Sequence, residues 1–175
     1  MEKHFSGEST DNSNSLAEIA ARVGARLRDR GETIAVAESS AGGLISAALL
    51  AMPGASAYFR GGGVVYTGDA KSLFLNLSRE SVSTPRAATP EHSLVLADGI
   101  RERLGSTWGL GETGASGPTG NRYGDPAGHS CVGISGPVRK TMTIRTEKSG
   151  RIENMFAFAV FALSTFETML DDIKK

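Results

Sequence analysis

Apolar residues recur at helical spacing at Leu16, Ile19, Ala20, Val23 and Leu27, with Gly31 following. This stripe predicts an amphipathic helix, with Ser15 as its cap and Glu18 as the reciprocal capping-box partner. The period then changes. Thr33–Ala37 (TIAVA) is short, apolar and partly β-branched, which predicts a buried strand. Residues 43–52 read as a helix stopped by Pro53-Gly54, and residues 55–60 as one short helical turn. GVVY at 63–66 predicts a second strand, and 69–77 a helix with Thr67 or Asp69 near its start. Thr89 before Pro90 is a capping residue ahead of a first-position proline, so a helix runs from there to Leu104, before Gly105. Residues 107–113 form a weaker strand and 114–128 a Gly/Pro loop. Residues 130–135 and 140–147 read as a hairpin, with alternation in TMTIRT. The rest, 151–173, is a long helix rich in Phe, Ala and Leu.

Strands alternating with helices predict a layered α/β sheet, with an antiparallel pair late in the chain. In such sheets ligands gather beyond the carboxyl ends of parallel strands. Three segments end there: Glu38-Ser39-Ser40, Tyr66-Thr67, and Thr113 with the glycine loop. Composition sharpens this, because glycine supplies 22 of 175 residues, clustered at 42–43, 61–63 and 109–136. Glycine gathers where backbone turns sharply or approaches a ligand closely, so these clusters predict the same rim.

Charge narrows the partner class. Lys+Arg and Asp+Glu both number 19, so the net charge is zero and no nucleic-acid partner is expected. No apolar run reaches the roughly 18 residues of a membrane span. The single Cys131 excludes an internal disulfide and fits a reducing, cytoplasmic setting. Residues 1–14 read as a disordered tail and 15–175 as one domain. The Phe-rich last helix and the Gly-rich loop are the candidate surfaces of a homo-oligomer.

The stretch ESSAGG at 38–43 has three readings: a phosphate cradle, a turn bearing a nucleophile, or a tight connection. Neither GxxxxGK[ST] nor GxGxxG is present, which weakens the nucleotide-triphosphate reading. A nucleophilic serine needs a base. His4, His92 and His129 have no evident orienting carboxylate and GxSxG is absent, which argues against a Ser-His-Asp triad. So few histidines and one cysteine argue against zinc. Lysine remains, since a partly desolvated amine can take a serine proton. Lys71 follows Tyr66 by five residues across a strand-to-helix turn and can reach the same rim. Spacing leaves open the plainer alternative, with Tyr66 packed at a strand end and Lys71 solvated on a helix. Arg151 reads as a phosphate ligand or as exposed surface, and Cys131 as a small buried residue.

In order, AESSAGGLISAAL, PGASAYFRGGGVVYTGDAK, TPEHSLVLADGI, TGASGP and DPAGHSCVGI resemble the CinA C-terminal domain family, which includes the nicotinamide-nucleotide amidases. The resemblance covers about residues 15–170. It implies a three-layer α/β/α fold with a mixed, mostly parallel sheet. It also implies hydrolysis of the carboxamide of nicotinamide mononucleotide to the acid and ammonia, on a small-molecule substrate and without a cofactor or metal. It places the family's serine at Ser39, its tyrosine at Tyr66 and its lysine at Lys71. Ser39 would then attack the carboxamide, Lys71 accept the proton, Tyr66 relay or orient it, and N–H groups near Ala41–Gly43 support the oxyanion. Rim residues Ser40, Gly42, Gly43, Thr67, Thr113 and Gly114, with Arg151, are the substrate-binding candidates.

Several positions depart from the family's pattern. Ser40-Ala41 stands for Cys-Thr, Thr67-Gly68 for Ser-Asn, Thr89-Pro90 for Ser-Glu, and Asp125 for Lys. Of two arginines early in the last helix, the first is Arg151 and the second falls at about Met155. A lost hydroxyl and two lost cations bear on the substrate more than on the fold. They keep two alternatives in view: a nucleotide-binding or regulatory module without turnover, and an amidase for another small amide. The family's molybdopterin-binding-like N-terminal domain has no counterpart, so a stand-alone form is expected.

Overall fold

The computed structural model describes the backbone of residues 2–4 and 12–173. Its centre is β2 (Ile34–Glu38), buried along its length and paired in parallel with both β3 (Phe59–Val64) and β4 (Trp108–Ala115). A strand covered on both faces reads as a continuous apolar run, as TIAVA does. β5 (His129–Ser135) and β6 (Lys140–Arg145) continue the sheet antiparallel from β4, and β1 (Glu2–His4) adds a parallel edge. The strand order is β1-β6-β5-β4-β2-β3.

Helices cover both faces, giving three layers. α1 (Asn12–Arg30), α2 (Leu44–Leu50) and α6 (Arg151–Asp172) pack on one face, over Ile34, Val36, Trp108 and Leu110. α3 (Gly68–Leu75), α4 (Arg79–Ser83) and α5 (Pro90–Leu104) lie on the other, where Ala35 and Ala37 meet Leu96 and Ile100. The expected α/β/α architecture with a mixed sheet is therefore present.

Several boundaries differ from the sequence reading. α1 begins at Asn12, so Ser15 lies inside the helix and caps nothing at its start, while the Leu16–Leu27 stripe is buried as expected. Glu2–His4 form a strand on β6, which corrects the disordered tail at those residues; residues 1 and 5–11 lie outside the described ones. β3 spans Phe59–Val64 rather than 63–66, and the short turn is only Ala55–Ala57. Pairing with β2, through an irregularity between Ile34 and Ala35, draws the poor strand formers Arg60–Gly63 into the sheet. α4 was not expected; Ser78 caps it by accepting the N–H of Ser81 at 3.1 Å.

The glycines also divide differently. A Cβ at Gly109 or Gly111 would lie 2.0 Å from Ala97 O and 2.1 Å from Ser93 O, both on α5. These glycines let α5 sit close on the sheet and do not border the ligand rim.

Candidate active site

Alternation along β2 separates the two serines. Val36 and Glu38 face α1, α2 and α6, and Ala35 and Ala37 face α5. Continued one residue further, the alternation turns Ser39 towards α3 and α5 and Ser40 back towards α6. Ser39 accordingly lines a cleft of about 720 Å³ with Lys71, Thr113, Gly114, Tyr66 and Arg122. Ser40 lines a separate pocket of about 240 Å³ with Gly114, Ser116 and Arg151. Tyr66 borders both.

Two buried carboxylates hold the turn between these serines. Glu38 Oε2 accepts the N–H groups of Gly43 and Ile45, each at 3.0 Å, and its Oε1 accepts that of Ser46 at 2.7 Å. The N-terminus of α2 thus carries its own anion, where the phosphate-cradle reading would put a ligand. Burial raises the Glu38 pKa above the carboxylate norm, the bonds from Ser46 and Ile45 oppose this, and the charge of Glu112 adds to it. Glu112, from β4, accepts the N–H groups of Ser39 at 3.1 Å and Ala41 at 2.8 Å. It also accepts the hydroxyls of Ser40 and Ser130, the latter at 2.6 Å. Sequence reasoning missed Glu112, because its partners on the turn lie more than 70 residues away.

These bonds correct the expected oxyanion donors. Ala41 N–H is committed to Glu112 and Gly43 N–H to Glu38, which leaves Gly42 N–H in that stretch. Gly42 and Gly43 adopt φ of +68° and +99° and line neither pocket; their conformation is what makes the turn possible. Met155 packs its methyl against Gly42.

Lys71 is buried on α3, not solvated. Its Nζ lies 3.0 Å from His92 Nε2, and His92 Nδ1 lies 2.9 Å from Pro85 O. Burial lowers the Lys71 pKa, partly offset by the charge of Glu112. His92 is lowered to about 4, by burial first and the Lys71 charge second, against the bond to Pro85. Ser39 and Lys71 share the cleft, but no hydrogen bond joins them. Tyr66 is 60% exposed, so it is not packed at a strand end, and its hydroxyl bonds neither residue.

The other candidates take distinct places. Thr67 caps α3 by accepting the N–H of Ala70 at 3.1 Å and does not line the cleft. Thr113 lines it while accepting the N–H of Ala88 at 3.1 Å. Arg151 donates to Gly117 O at 2.8 Å, at the smaller pocket. Asp125 pairs with Arg86 at 2.6 Å and accepts from Asn121 at 2.8 Å, so it organises the loop. Arg86 and Arg122 stack on Tyr123, at 5.2 and 4.9 Å from the ring centre. Arg122 lines the cleft and donates to Tyr123 Oη at 2.6 Å; among the described residues this hydroxyl is its one hydrogen-bond partner, and sequence reasoning overlooked it.

Residues 16–170 match the family model described as the CinA C-terminal domain. The chain belongs to that family. It is 41% identical over 120 residues to a CinA-like protein of Synechococcus elongatus, covering 69% of this chain and 28% of that protein. With a CinA-like protein of Desulfosudis oleivorans it shares 38% over 165 residues, covering 94% and 40%. The chain thus spans less than half the length of these curated relatives. Among solved structures it is similar to the competence/damage inducible protein of Agrobacterium tumefaciens, with a TM-score of 0.82, 28% identity and coverage of 97% and 99%. The CinA superfamily protein of Klebsiella pneumoniae 700603 shares the fold, with a TM-score of 0.84, 24% identity and coverage of 90% and 99%. In this CinA-domain chain Ser39, Tyr66 and Lys71 from the first two quoted blocks and Thr113 and Gly114 from the fourth line one cleft.

Proposed function

We propose that this CinA-domain protein is an amidohydrolase that converts the carboxamide of a pyridine mononucleotide, such as nicotinamide mononucleotide, to the carboxylate. The supporting observation is a buried, pKa-lowered Lys71 beside Ser39 in one cleft, with no carboxylate bonded to the amine. In this reading neutral Lys71 takes the Ser39 proton as Oγ attacks the carboxamide carbon. The tetrahedral intermediate collapses to an acyl-Ser39 ester, and the ammonium of Lys71 returns its proton to the departing ammonia. Water, deprotonated by Lys71, then attacks the ester and releases the acid. Tyr66, exposed at the border of both pockets, contacts the substrate rather than relaying the proton. Arg122 receives the phosphate in place of the cations lost at Asp125 and Met155.

Ammonia release from nicotinamide mononucleotide by wild type and by Ser39→Ala tests this. Turnover in wild type and its loss in the variant are expected; equal rates, or none in wild type, reject the reading. One observation favours a second reading, a binding module without turnover: Glu112 occupies the Ser39 and Ala41 N–H groups that could face an oxyanion. A thermal shift with the mononucleotide but no ammonia would select that reading. A panel of small amides separates the third, an amidase for a substrate without phosphate.

A further inference from the structure

Among the described residues the Lys71 amine has one hydrogen-bond partner, and that partner is a histidine. His92 sits in the first turn of α5, 0% exposed, with its backbone N–H bonded to the cap Thr89. Its Nδ1 faces the carbonyl oxygen of Pro85 at 2.9 Å. A carbonyl oxygen only accepts, so Nδ1 carries the ring proton and Nε2 carries the lone pair. Lys71 is then the donor in the 3.0 Å contact.

The chemistry of this acceptor matters. The charged and titratable groups around Lys71 are His92 from α5, Glu112 from β4, Asp69 from its own helix, Arg79 from α4, Tyr66 before α3, and Arg122 and Tyr123 from the glycine loop across the cleft. Asp69 is paired with Arg79 at 3.0 Å, and Glu112 is occupied by the turn bearing Ser39 and by Ser130 of β5. A carboxylate bonded to Nζ would hold the amine as ammonium and spoil it as a base. A neutral imidazole fixes one N–H of the amine without supplying a countercharge. The remaining N–H and the lone pair stay on the cleft side, where Ser39 lies.

We propose that His92, locked by Pro85 as the Nδ1–H tautomer, is the positioning residue that holds Lys71 as a neutral, oriented base. This rests on the amidase reading for its catalytic consequence but not for its geometry. The depressed pKa of His92, about 4, keeps Nε2 an acceptor through the neutral range.

The test uses the full chain with His92→Leu, which removes the acceptor, and His92→Gln, whose amide can accept from Lys71 and donate to Pro85. With nicotinamide mononucleotide, kcat falls about tenfold to a hundredfold in His92→Leu with KM within about twofold, and His92→Gln recovers most of the loss. A His92→Leu kcat within about twofold of wild type overturns the proposal. So does equal loss in both variants, which marks a merely structural histidine. Two readouts need no turnover. Nitrogen-15 NMR of wild type is expected to show His92 protonated at Nδ1, and protonation at Nε2 overturns the proposal. The pH midpoint for acylation of Lys71 by acetic anhydride, read by mass spectrometry, shifts in His92→Leu and returns in His92→Gln. An unchanged midpoint in His92→Leu overturns the proposal. If wild type releases no ammonia, the amidase reading fails alone, and these two readouts still decide the role of His92.

Discussion

The carboxylate of Glu112 accepts the backbone N–H of Ala41 at 2.8 Å, joining the interior of β4 to the turn after β2. The same side chain holds Ser39 N–H and the hydroxyls of Ser40 and Ser130, so four donors converge on one buried anion. Glu112→Ala strands those donors and is expected to cost about 3 kcal/mol or more. Glu112→Gln keeps an oxygen for the two N–H groups, and the serine hydroxyls can turn to accept from its amide. Its expected cost is about 1 kcal/mol. Urea unfolding of both variants checks the order, and a Gln variant as damaged as Ala contradicts it.

The two serines should separate by readout. Among the described residues the Ser39 hydroxyl has no hydrogen-bond partner, so Ser39→Ala should change stability by less than about 0.5 kcal/mol. Its turnover should fall by about a thousandfold or more if Ser39 is the nucleophile. Ser40→Ala loses a bond to a buried carboxylate and should cost about 1.5–3 kcal/mol. Thermal denaturation and ammonia release on one preparation measure both effects.

Arg122 gives a substrate-selective prediction. Arg122→Ala should lower kcat/KM for the mononucleotide about tenfold, equivalent to about 1.4 kcal/mol, through loss of a charge-assisted bond. The dephosphorylated riboside should be handled alike by both proteins. A parallel fall for both substrates would place the phosphate elsewhere, with Arg151 the next residue to vary.

His92 predicts acid lability. Its folded pKa of about 4 lies below the ordinary 6.5, so between these values the unfolded chain binds more protons than the folded one. Stability therefore rises with pH across that window and is lost as pH falls through it. The size is up to about 3 kcal/mol. Urea unfolding at pH 7 and pH 4.5 should show a smaller acid loss in His92→Gln than in wild type.

Cys131 should be inert while folded. Burial pushes its thiol up to about 11, and it is packed beside His129 and Thr143. Labelling by a disulfide reagent should follow global unfolding in urea; prompt labelling in buffer would contradict this.

Local chemistry made much of this molecule readable from sequence. TIAVA reads as a buried strand, which Ile34–Glu38 is, and Thr89-Pro90 with Gly105 bounded α5 from both ends. The matched blocks led to Ser39 and Lys71, which the fold brings to one cleft. What escaped depends on distant partners. Glu112 is one acidic residue in LGETG until β4 and β2 are adjacent, and His92 is an ordinary helix residue until Pro85 and Lys71 flank it. Gly109 and Gly111 misled, because glycine serves helix packing as readily as ligand approach. α4 was lost in a polar, serine-rich segment with no apolar stripe to announce it.

The two carboxylates at 38 and 112 also decide which parts of the cleft can adapt. Between them they clamp the amides of Ser39, Ala41, Gly43, Ile45 and Ser46. Such amides exchange with solvent slowly, although most of them sit in a connection or a helix's first turn. The opposite wall is different: α4 is five residues long with none buried, and Arg122 and Tyr123 are exposed. Accommodation of a ligand is therefore a property of that wall, with the floor under the serines behaving as a fixed anvil.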